Sequence, residues 1–389
     1  MSNPFGKNTY YHYDARNRLD TVAASLDFAS GYEAKYQYFQ DNLLKNLTQR
    51  NGVTATFGYD GKQVNSLMEK KADGTTLNTF SYTYDGNGNQ KTKTENGTLS
   101  SFAYDELDRI STSSQFNQTY QYDSRGNRKS MTTSQPFDRP VPSSNVTYTY
   151  NGDGLLWERT ENGQTTRYYV DGDQVIAEAT MTGGVATLKA RYIRGQGLIA
   201  REDDMGKAYY VQNGHGDVVN LMDSTGKTKL NNYNYDIFGN ISAQTETIEQ
   251  SFKYSGEMQD AATGLQYLRA RWYDPSIGRF TGEDTVEGQI KNPLSLNLYT
   301  YVENNPIIRF DPSGNSWIGD QWNAFVVEMK ARNSSWESAM SYWTLGFSDP
   351  FFTSASVPMN SKEYWYAQAD VIFNTATLGV GTFEKQALK

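Results

Sequence analysis

A recurring tyrosine-aspartate unit constrains the fold more than any other feature of this sequence. Up to about residue 260 the chain repeats an aromatic residue, any residue, then Tyr and Asp or Asn, followed shortly by Gly or Asn, as in YTYDGNGNQ and YQYDSRGNR. The tyrosines of the clearest copies are Tyr13, Tyr59, Tyr84, Tyr104, Tyr122, Tyr150 and Tyr235. Successive copies, including weaker ones, are about 18 to 28 residues apart, a length that fits two short strands and two turns. The repeat therefore predicts a chain of β-hairpins.

Each position of the unit has a physical reason. Residues i and i+2 of a strand lie on one face, so Tyr120 and Tyr122 are predicted to form one step of an aromatic ladder. Asp and Asn side chains bind their own backbone, and glycine adopts positive φ without steric cost, so Tyr-Asp is predicted to end a strand in a turn. Asn-Gly or Asp-Gly pairs such as Asn96-Gly97 predict a second hairpin turn half a unit later.

The pattern predicts an all-β fold in which residues 8–314 form a continuous antiparallel sheet of hairpins. The segment 134–145 is predicted to be a loop, because Pro136, Pro140 and Pro142 cannot donate to a strand ladder. After Gly314 the hairpin signals end, tryptophans appear, and apolar residues recur at near-helical spacing in 321–331. Residues 316–389 are therefore predicted to form a short, partly helical C-terminal region.

Composition excludes several classes of protein. A net charge of −8 disfavours a nucleic-acid partner, which needs clustered Lys and Arg. Aromatic residues make up 14% of the chain, which indicates a folded protein whose buried area comes from rings. With no cysteine and only His12 and His215, no metal site and no cofactor are predicted. The opening residues lack the pattern of a signal peptide, and no apolar run reaches the roughly 18 residues of a membrane-spanning helix.

Residues 209–314 resemble the Rhs repeat-associated core in several consecutive motifs. These read YYVQNGHGDVVNLMDSTG, YNYDIFGN, FKYSGEMQDAATGLQYLRARWYDPSIGRFTGEDTVEG and NPLSLNLYTYVENNPIIRFDPSG. The upstream repeats extend the resemblance to the Rhs/YD-repeat family over most of residues 8–314. The expected division is a YD-repeat β-shell (1–208), the core (209–315) and a Trp-rich pre-toxin or truncated toxin region (316–389).

The resemblance implies a hairpin spiral that forms a hollow, cocoon-like shell, which the small number of repeats here would leave incomplete. In that family the shell encloses a C-terminal toxic polypeptide, so the expected function is to encapsulate or present the chain's own C-terminal polypeptide as cargo. Expected partners are a closing or delivery protein and an immunity protein, with self-association through open strand edges. The expected location is secreted or at the cell surface, as part of a longer parent chain.

The resemblance also implies an aspartyl-type autoprotease that acts only on its own chain. Asp284 and Asp311 match the family's catalytic carboxylates, and cleavage is expected between Gly314 and Ser316. Two carboxylates held close together share one proton and can act as acid and base on a water molecule. The sequence departs from the family at Thr285, where Pro is usual, and at Asn315, where Leu is usual.

Alternatives remain open at this point. Asp311-Pro312-Ser313-Gly314 also has the composition of a simple turn, and Asp274 could replace Asp284. The core-motif residues singled out are Arg269, Arg271, Tyr273, Asp274, Arg279, Pro306 and Pro312. Arg269 and Arg271 are predicted to share one strand face, where they would bind an anion or pair with carboxylates such as Glu283.

Two other functions compete with the shell. A carbohydrate-binding surface adhesin would use exposed tyrosine ladders to stack on sugar rings. An effector enzyme in residues 316–389 would have to work without histidine or cysteine, and with Arg332 as its only arginine.

Overall fold

The computed structural model describes residues 2–124, 126–132, 145–285, 287–288, 293–315 and 318–319. The chain divides into two units at residues 331/332, and the second unit lies outside the described residues. Within the described part, the chain is almost entirely antiparallel β-sheet.

The first large sheet has twelve strands in sequence order, each bonded to its neighbours in the chain. Its strands are β1 (Tyr10–Tyr13), β2 (Leu19–Ala23), β3 (Tyr32–Tyr38), β4 (Leu44–Gln49), β5 (Thr54–Asp60), β6 (Gln63–Lys70), β7 (Thr76–Tyr84), β8 (Gln90–Glu95), β9 (Thr98–Tyr104), β10 (Ile110–Ser113), β11 (Gln118–Tyr122) and β12 (Arg128–Thr132).

The second large sheet has ten strands, again in sequence order. They are β13 (Val146–Tyr150), β14 (Leu156–Glu161), β15 (Gln164–Asp171), β16 (Gln174–Thr182), β17 (Val185–Arg194), β18 (Leu198–Asp203), β19 (Gly206–Gln212), β20 (Val218–Met222), β21 (Lys229–Tyr235) and β22 (Ile241–Glu246).

Smaller elements follow. A four-stranded sheet contains β23 (Met258–Gln259), β24 (Gln266–Leu268), β25 (Arg271–Asp274) and β26 (Arg279–Phe280), and a two-stranded sheet contains β27 (Arg309–Phe310) and β28 (Ile318–Gly319). The helical elements among the described residues are short 3₁₀ turns at Tyr254–Gly256, Pro293–Leu296 and Val302–Asn304. No helix in the described ranges is both long and apolar enough to cross a membrane.

The turn that follows Tyr84 illustrates the chemistry of the repeat. Oδ1 of Asp85 accepts hydrogen bonds from the backbone N–H groups of Asn87 and Asn89, both at 2.9 Å. Gly88 closes the turn at φ +86°, a value that suits glycine. The same arrangement is formed by Asp14, Asp105, Asn151 and Asp236. The prediction that Tyr-Asp ends a strand in a side-chain-stabilised turn is confirmed.

The tyrosine of the unit joins neighbouring strands. The hydroxyl of Tyr84, at the end of β7, donates to the carbonyl of Val64, near the start of β6, at 2.6 Å. The same bond recurs from Tyr38, Tyr59, Tyr104, Tyr122 and Tyr235 to Leu19, Leu44, Gln90, Ile110 and Val218. Each of these tyrosines lies where the pairing of its strand with the following strand shifts register, and its hydroxyl ties that strand end to the preceding strand. These contacts favour packing over the carbohydrate-binding alternative.

The two large sheets pack against each other through aliphatic and aromatic side chains. One cluster brings Leu67 and Phe80 of the first sheet against Val219 of the second. A further cluster joins Leu19, Val22, Ile193 and Ile199 among others, and seven of the largest fully buried side chains are Tyr or Phe. Aromatic rings therefore supply much of the core, as composition predicted.

One prediction about connectivity was wrong. The strands between residues 8 and 314 do not form one continuous sheet, because pairing in the described chain ends at β12 and starts again at β13. The predicted loop 134–145 falls almost wholly on residues outside the described ranges. The predicted boundary between the YD-repeat shell and the core, at 208/209, falls within β19 and stays a prediction. The predicted helical region 316–389 also lies outside the described residues, except for β28.

Candidate active site

The candidate site forms where the four-stranded sheet meets the turn after β27. Arg271 opens β25 and is largely buried, with 8% of its surface exposed. Its Nη2 lies 2.7 Å from Oδ2 of Asp284 and 3.8 Å from Oδ2 of Asp311. Because both distances end on the same nitrogen, the two Oδ2 atoms can be no more than about 6.5 Å apart. The fold thus brings together the two carboxylates that the sequence singled out.

Arg271 also contacts the chain where cleavage was expected. Its Nε donates to the carbonyl oxygen of Gly314, and its Nη1 donates to the carbonyl of Leu298 at 2.8 Å. The guanidinium carbon lies 3.6 Å from the ring centroid of Phe280. Burial lowers the pKa of Arg271, while the two carboxylates act in the opposite direction. One cation therefore links Asp284, Asp311 and the Gly314 carbonyl.

Asp311 is almost completely buried, with 3% of its surface exposed. Its Oδ1 accepts hydrogen bonds from the backbone N–H groups of Ser313 at 3.0 Å and Gly314 at 2.8 Å, and from the Ser313 hydroxyl at 3.0 Å. Burial raises the pKa of Asp311 to about 6, even though Arg271 and these donors lower it. The turn and the carboxylate pair are therefore features of the same residues.

Gly314 is required by the geometry of this turn. Its φ is +77°, and an added Cβ would lie 2.9 Å from the backbone nitrogen of Arg271 and closer still to the carbonyl oxygen of Leu268. The backbone N–H of Asn315 donates to the Ser313 hydroxyl at 3.2 Å. Ser316 lies outside the described residues.

The remaining core-motif residues have structural contacts. Tyr273 donates its hydroxyl to the Phe238 carbonyl at 2.9 Å, and Asp274 caps its own turn by accepting from the Ser276 N–H at 2.9 Å. The carbonyl of Pro306 accepts from the Tyr254 hydroxyl at 2.9 Å, and Pro312 lies in the Asp311 turn. Because Arg271 joins Asp311 to Asp284, the geometry favours Asp284 over Asp274 as the second carboxylate.

The prediction that Arg269 and Arg271 share a strand face was wrong. Arg269 lies in the tight turn between β24 and β25 with φ +61°. Its guanidinium pairs with Glu257 and with Asp173, whereas Arg271 pairs with Asp284 and Asp311 rather than the suggested Glu283. Periodicity failed here because a hairpin turn separates the two arginines.

His215 and the acidic residues give no indication of metal binding. His215 Nδ1 lies 2.8 Å from Oδ1 of Asp217, and its ring packs against Tyr254 and Phe310. Among the residues that the structure describes, no group of three or more His, Cys, Asp or Glu side chains could hold a metal ion.

Comparison with known proteins gives three kinds of match. The Teneurin YD-shell family model matches residues 186–307. The tRNA3(Ser)-specific nuclease WapA of Bacillus spizizenii is 33% identical over 282 residues, which are 66% of this chain and 12% of that protein. Toxin subunit YenC1 of Yersinia entomophaga is 29% identical over 325 residues, 80% of this chain and 30% of the subunit.

Solved structures share the fold. A crystal structure of TcdB2-TccC3-TEV matches with a TM-score of 0.67 and 18% identity, covering 80% of this chain and 21% of that one. This chain therefore spans only a small part of the length of its relatives.

Proposed function

Because the chain belongs to the Rhs/YD-repeat family, we propose that its hairpin sheets are part of a shell that encloses or presents a C-terminal toxin polypeptide. The observation that carries this proposal is the two long rows of hairpins, whose fold is shared with the TcdB2-TccC3 assembly. Relatives that are named as a toxin subunit and as a tRNA-specific nuclease support a toxin as cargo. The activities named for these relatives do not determine the chemistry of the cargo in this chain.

The shell proposal is tested by protease protection of the full parent chain. The polypeptide C-terminal to the core should resist a non-specific protease at low denaturant and become sensitive when the sheets unfold. The same polypeptide produced alone is the control. Equal digestion rates for the enclosed and the isolated polypeptide would refute encapsulation.

Partner proteins follow from the same proposal. A delivery or closing protein would complete the shell, an immunity protein would protect the producing cell, and the parent chain would be secreted or displayed at the cell surface. In the described chain β1 and β22 each pair with a neighbour on one side only. Such edges favour self-association or added strands. Light scattering that shows a single monomeric species over a wide concentration range would count against self-association.

A second proposed activity is self-cleavage between Gly314 and Ser316. The specific observation in its favour is that Arg271 contacts both carboxylates and the Gly314 carbonyl. A cation on that oxygen would stabilise the negative charge that develops when water attacks the carbonyl carbon. This contact favours the bond between Gly314 and Asn315.

The contacts suggest a route for the proton. Asp284, paired with Arg271, would accept a proton from the attacking water, and Asp311 would retain its own at mildly acidic pH. The Ser313 oxygen lies 3.0 Å from Oδ1 of Asp311 and 3.2 Å from the Asn315 nitrogen. In the structure this hydroxyl donates to Asp311, so in the proposed step it would rotate, take the proton held by Asp311 and give its own proton to the leaving nitrogen. The C–N bond then breaks, with the new carboxyl on Gly314 and the amine on Asn315.

Intact-mass spectrometry of the purified full chain tests this activity. Cleavage should give a C-terminal product of about 8 kDa at the usual mass per residue, and either Asp284→Asn or Asp311→Asn should abolish it. Asp274→Asn is the matched control and should leave cleavage intact. A product that persists in both carboxylate variants would refute the assignment.

A further inference from the structure

Turns of the first sheet form hydrogen bonds with the core segment next to the candidate site. Oδ1 of Asn127, in the turn before β12, accepts from Asn297 Nδ2 at 2.8 Å and from Arg279 Nη1 at 2.5 Å. Arg279 Nη2 in turn donates to Asn297 Oδ1 at 2.9 Å. These three side chains satisfy one another across about 150 to 170 residues of sequence.

A second anchor lies a few residues further along the same segment. Asn304 Nδ2 donates to the carbonyl of Gly126 at 2.9 Å. Asn305 Nδ2 donates to Asn89 Oδ1 at 2.8 Å and to the carbonyl of Asp108 at 2.9 Å. Asn305 is completely buried. Three successive repeat turns of the first sheet, those at residues 85–89, 105–109 and 123–127, therefore hold residues 297–305.

The stretch between the two anchors forms one wall of the site. The carbonyl of Leu298, next to Asn297, accepts from Arg271 Nη1 at 2.8 Å and from the backbone N–H of Asp284 at 3.0 Å. The ring of Tyr301 lies 4.0 Å from that of Tyr273 and 5.7 Å from that of Phe280, on which Arg271 rests.

The backbone of this stretch needs outside contacts to keep its conformation. Val302, Glu303 and Asn304 have φ values of +43°, +54° and +61°. Residues other than glycine rarely adopt such values, least of all a β-branched one such as Val302. The Asn304 and Asn305 bonds to the first sheet supply contacts that hold it.

We propose that the first sheet is a structural requirement for the cleavage site, with Asn127 as the positioning residue that fixes Asn297 and, through the Leu298 carbonyl, Arg271 and Asp284. This inference rests on the proposed self-cleavage. It makes cleavage conditional on correct docking of the repeat turns on the core, so that cargo is released from the chain only where the sheet is assembled.

The test uses three variants of the full chain. Asn127→Ala removes the acceptor for Arg279 and Asn297 and should slow cleavage by about tenfold or more, the effect of losing one positioning interaction. Asn127→Asp keeps an acceptor oxygen for both donors. It also replaces the bond from Asn127 Nδ2 to Asp123 by a contact between two carboxylates, which the Arg279 guanidinium offsets, so it should restore part of the rate. Asn46→Ala is the matched control, because the Asn46 side chain bonds to Gln37 and Thr56 within the first sheet and lies outside the three docking turns. An alanine variant that cleaves at the wild-type rate, or an aspartate variant no faster than alanine, would overturn the proposal.

Hydrogen exchange separates this inference from the proposed cleavage. If the wild-type chain does not cleave, the proposed self-cleavage is refuted. Positioning of the site by the first sheet still predicts that Asn127→Ala speeds hydrogen exchange at the Asp284 N–H and in residues 309–314 by about tenfold. Strand β21 is the internal reference and should be unchanged. Equal exchange at Asp284 in the alanine variant and the wild type would overturn this positioning role.

Discussion

The stability of the joint between the two large sheets should depend on the protonation of one buried carboxyl. Glu69 in β6 is 2% exposed, and its Oε2 accepts from Asn78 Nδ2 at 2.7 Å. The same Nδ2 donates to Asn220 Oδ1 in the second sheet at 2.9 Å. Burial, with a smaller contribution from Glu95, raises the pKa of Glu69 to about 8, against the opposing effects of Asn78 and Lys229.

The sign and size of the effect follow from proton linkage. The unfolded carboxyl titrates near 4.5 and the folded one near 8, so between these values the folded state binds more protons. The contribution of Glu69 is therefore fully present below about pH 4.5, falls by about 1.4 kcal/mol per pH unit, and is lost above about pH 8. Over the whole window the upper limit is about 5 kcal/mol.

Glu69→Gln tests this directly, because glutamine has the shape of the neutral acid and never ionises. The variant should be close to wild type at pH 4.5 and several kcal/mol more stable at pH 8. Urea unfolding followed by circular dichroism at several pH values measures the difference, with the exposed Glu106→Gln as control. Parallel pH profiles for wild type and Glu69→Gln would refute the reasoning.

Three further results are expected. Tyr84→Phe removes the hydrogen bond to the Val64 carbonyl and should lower the free energy of unfolding, measured by urea denaturation, by about 1 kcal/mol. Tyr13→Phe, at an exposed ring, should lower the free energy of unfolding by less. The cleavage rate should fall as pH rises through about 6, since the Asp311 proton is then lost, and a gel-based rate that is flat from pH 5 to 8 would contradict this. Asn315→Leu should speed cleavage, because it restores the family residue and removes an amide oxygen that is buried without a hydrogen-bond partner in the structure. Intact-mass spectrometry that shows no increase in the cleaved fraction would contradict this.

The local structure could be predicted because its causes lie within a few residues. The Asp85 turn is made by residues 85 to 89 alone. An aspartate at its start predicts that the side chain accepts from backbone N–H groups of the same segment, as it does. The pairing of neighbouring strands follows from the same short units. The carboxylates Asp284 and Asp311 were identified from family motifs rather than from spacing.

Contacts between distant segments could not be predicted in the same way. Nothing near Asn127 indicates that its oxygen binds Asn297 and Arg279, because those partners meet only after the first sheet docks on the core. The role of Arg271 was missed for a related reason. Strand periodicity predicts that Arg271 and Arg269 lie on the same face. The turn at Arg269 separates them, so that Arg269 pairs with Glu257 and Arg271 pairs with Asp284.

The tyrosine bond to the preceding strand, formed from Tyr38, Tyr59, Tyr84, Tyr104, Tyr122 and Tyr235, gives these units a repeated nearest-neighbour contribution to the free energy of folding. This contribution is local, whereas the packing between the two sheets and the bonds from repeat turns to the core segment join distant parts of the chain. Duplication or loss of one whole unit would add or remove one such bond, and it would leave the bonds to the core segment unchanged only where the unit lies outside the turns that make them. A lineage can therefore change the number of units most readily in the part of the array that makes no bond to the core segment, and under the proposed function the size of the shell would change there in steps of one unit.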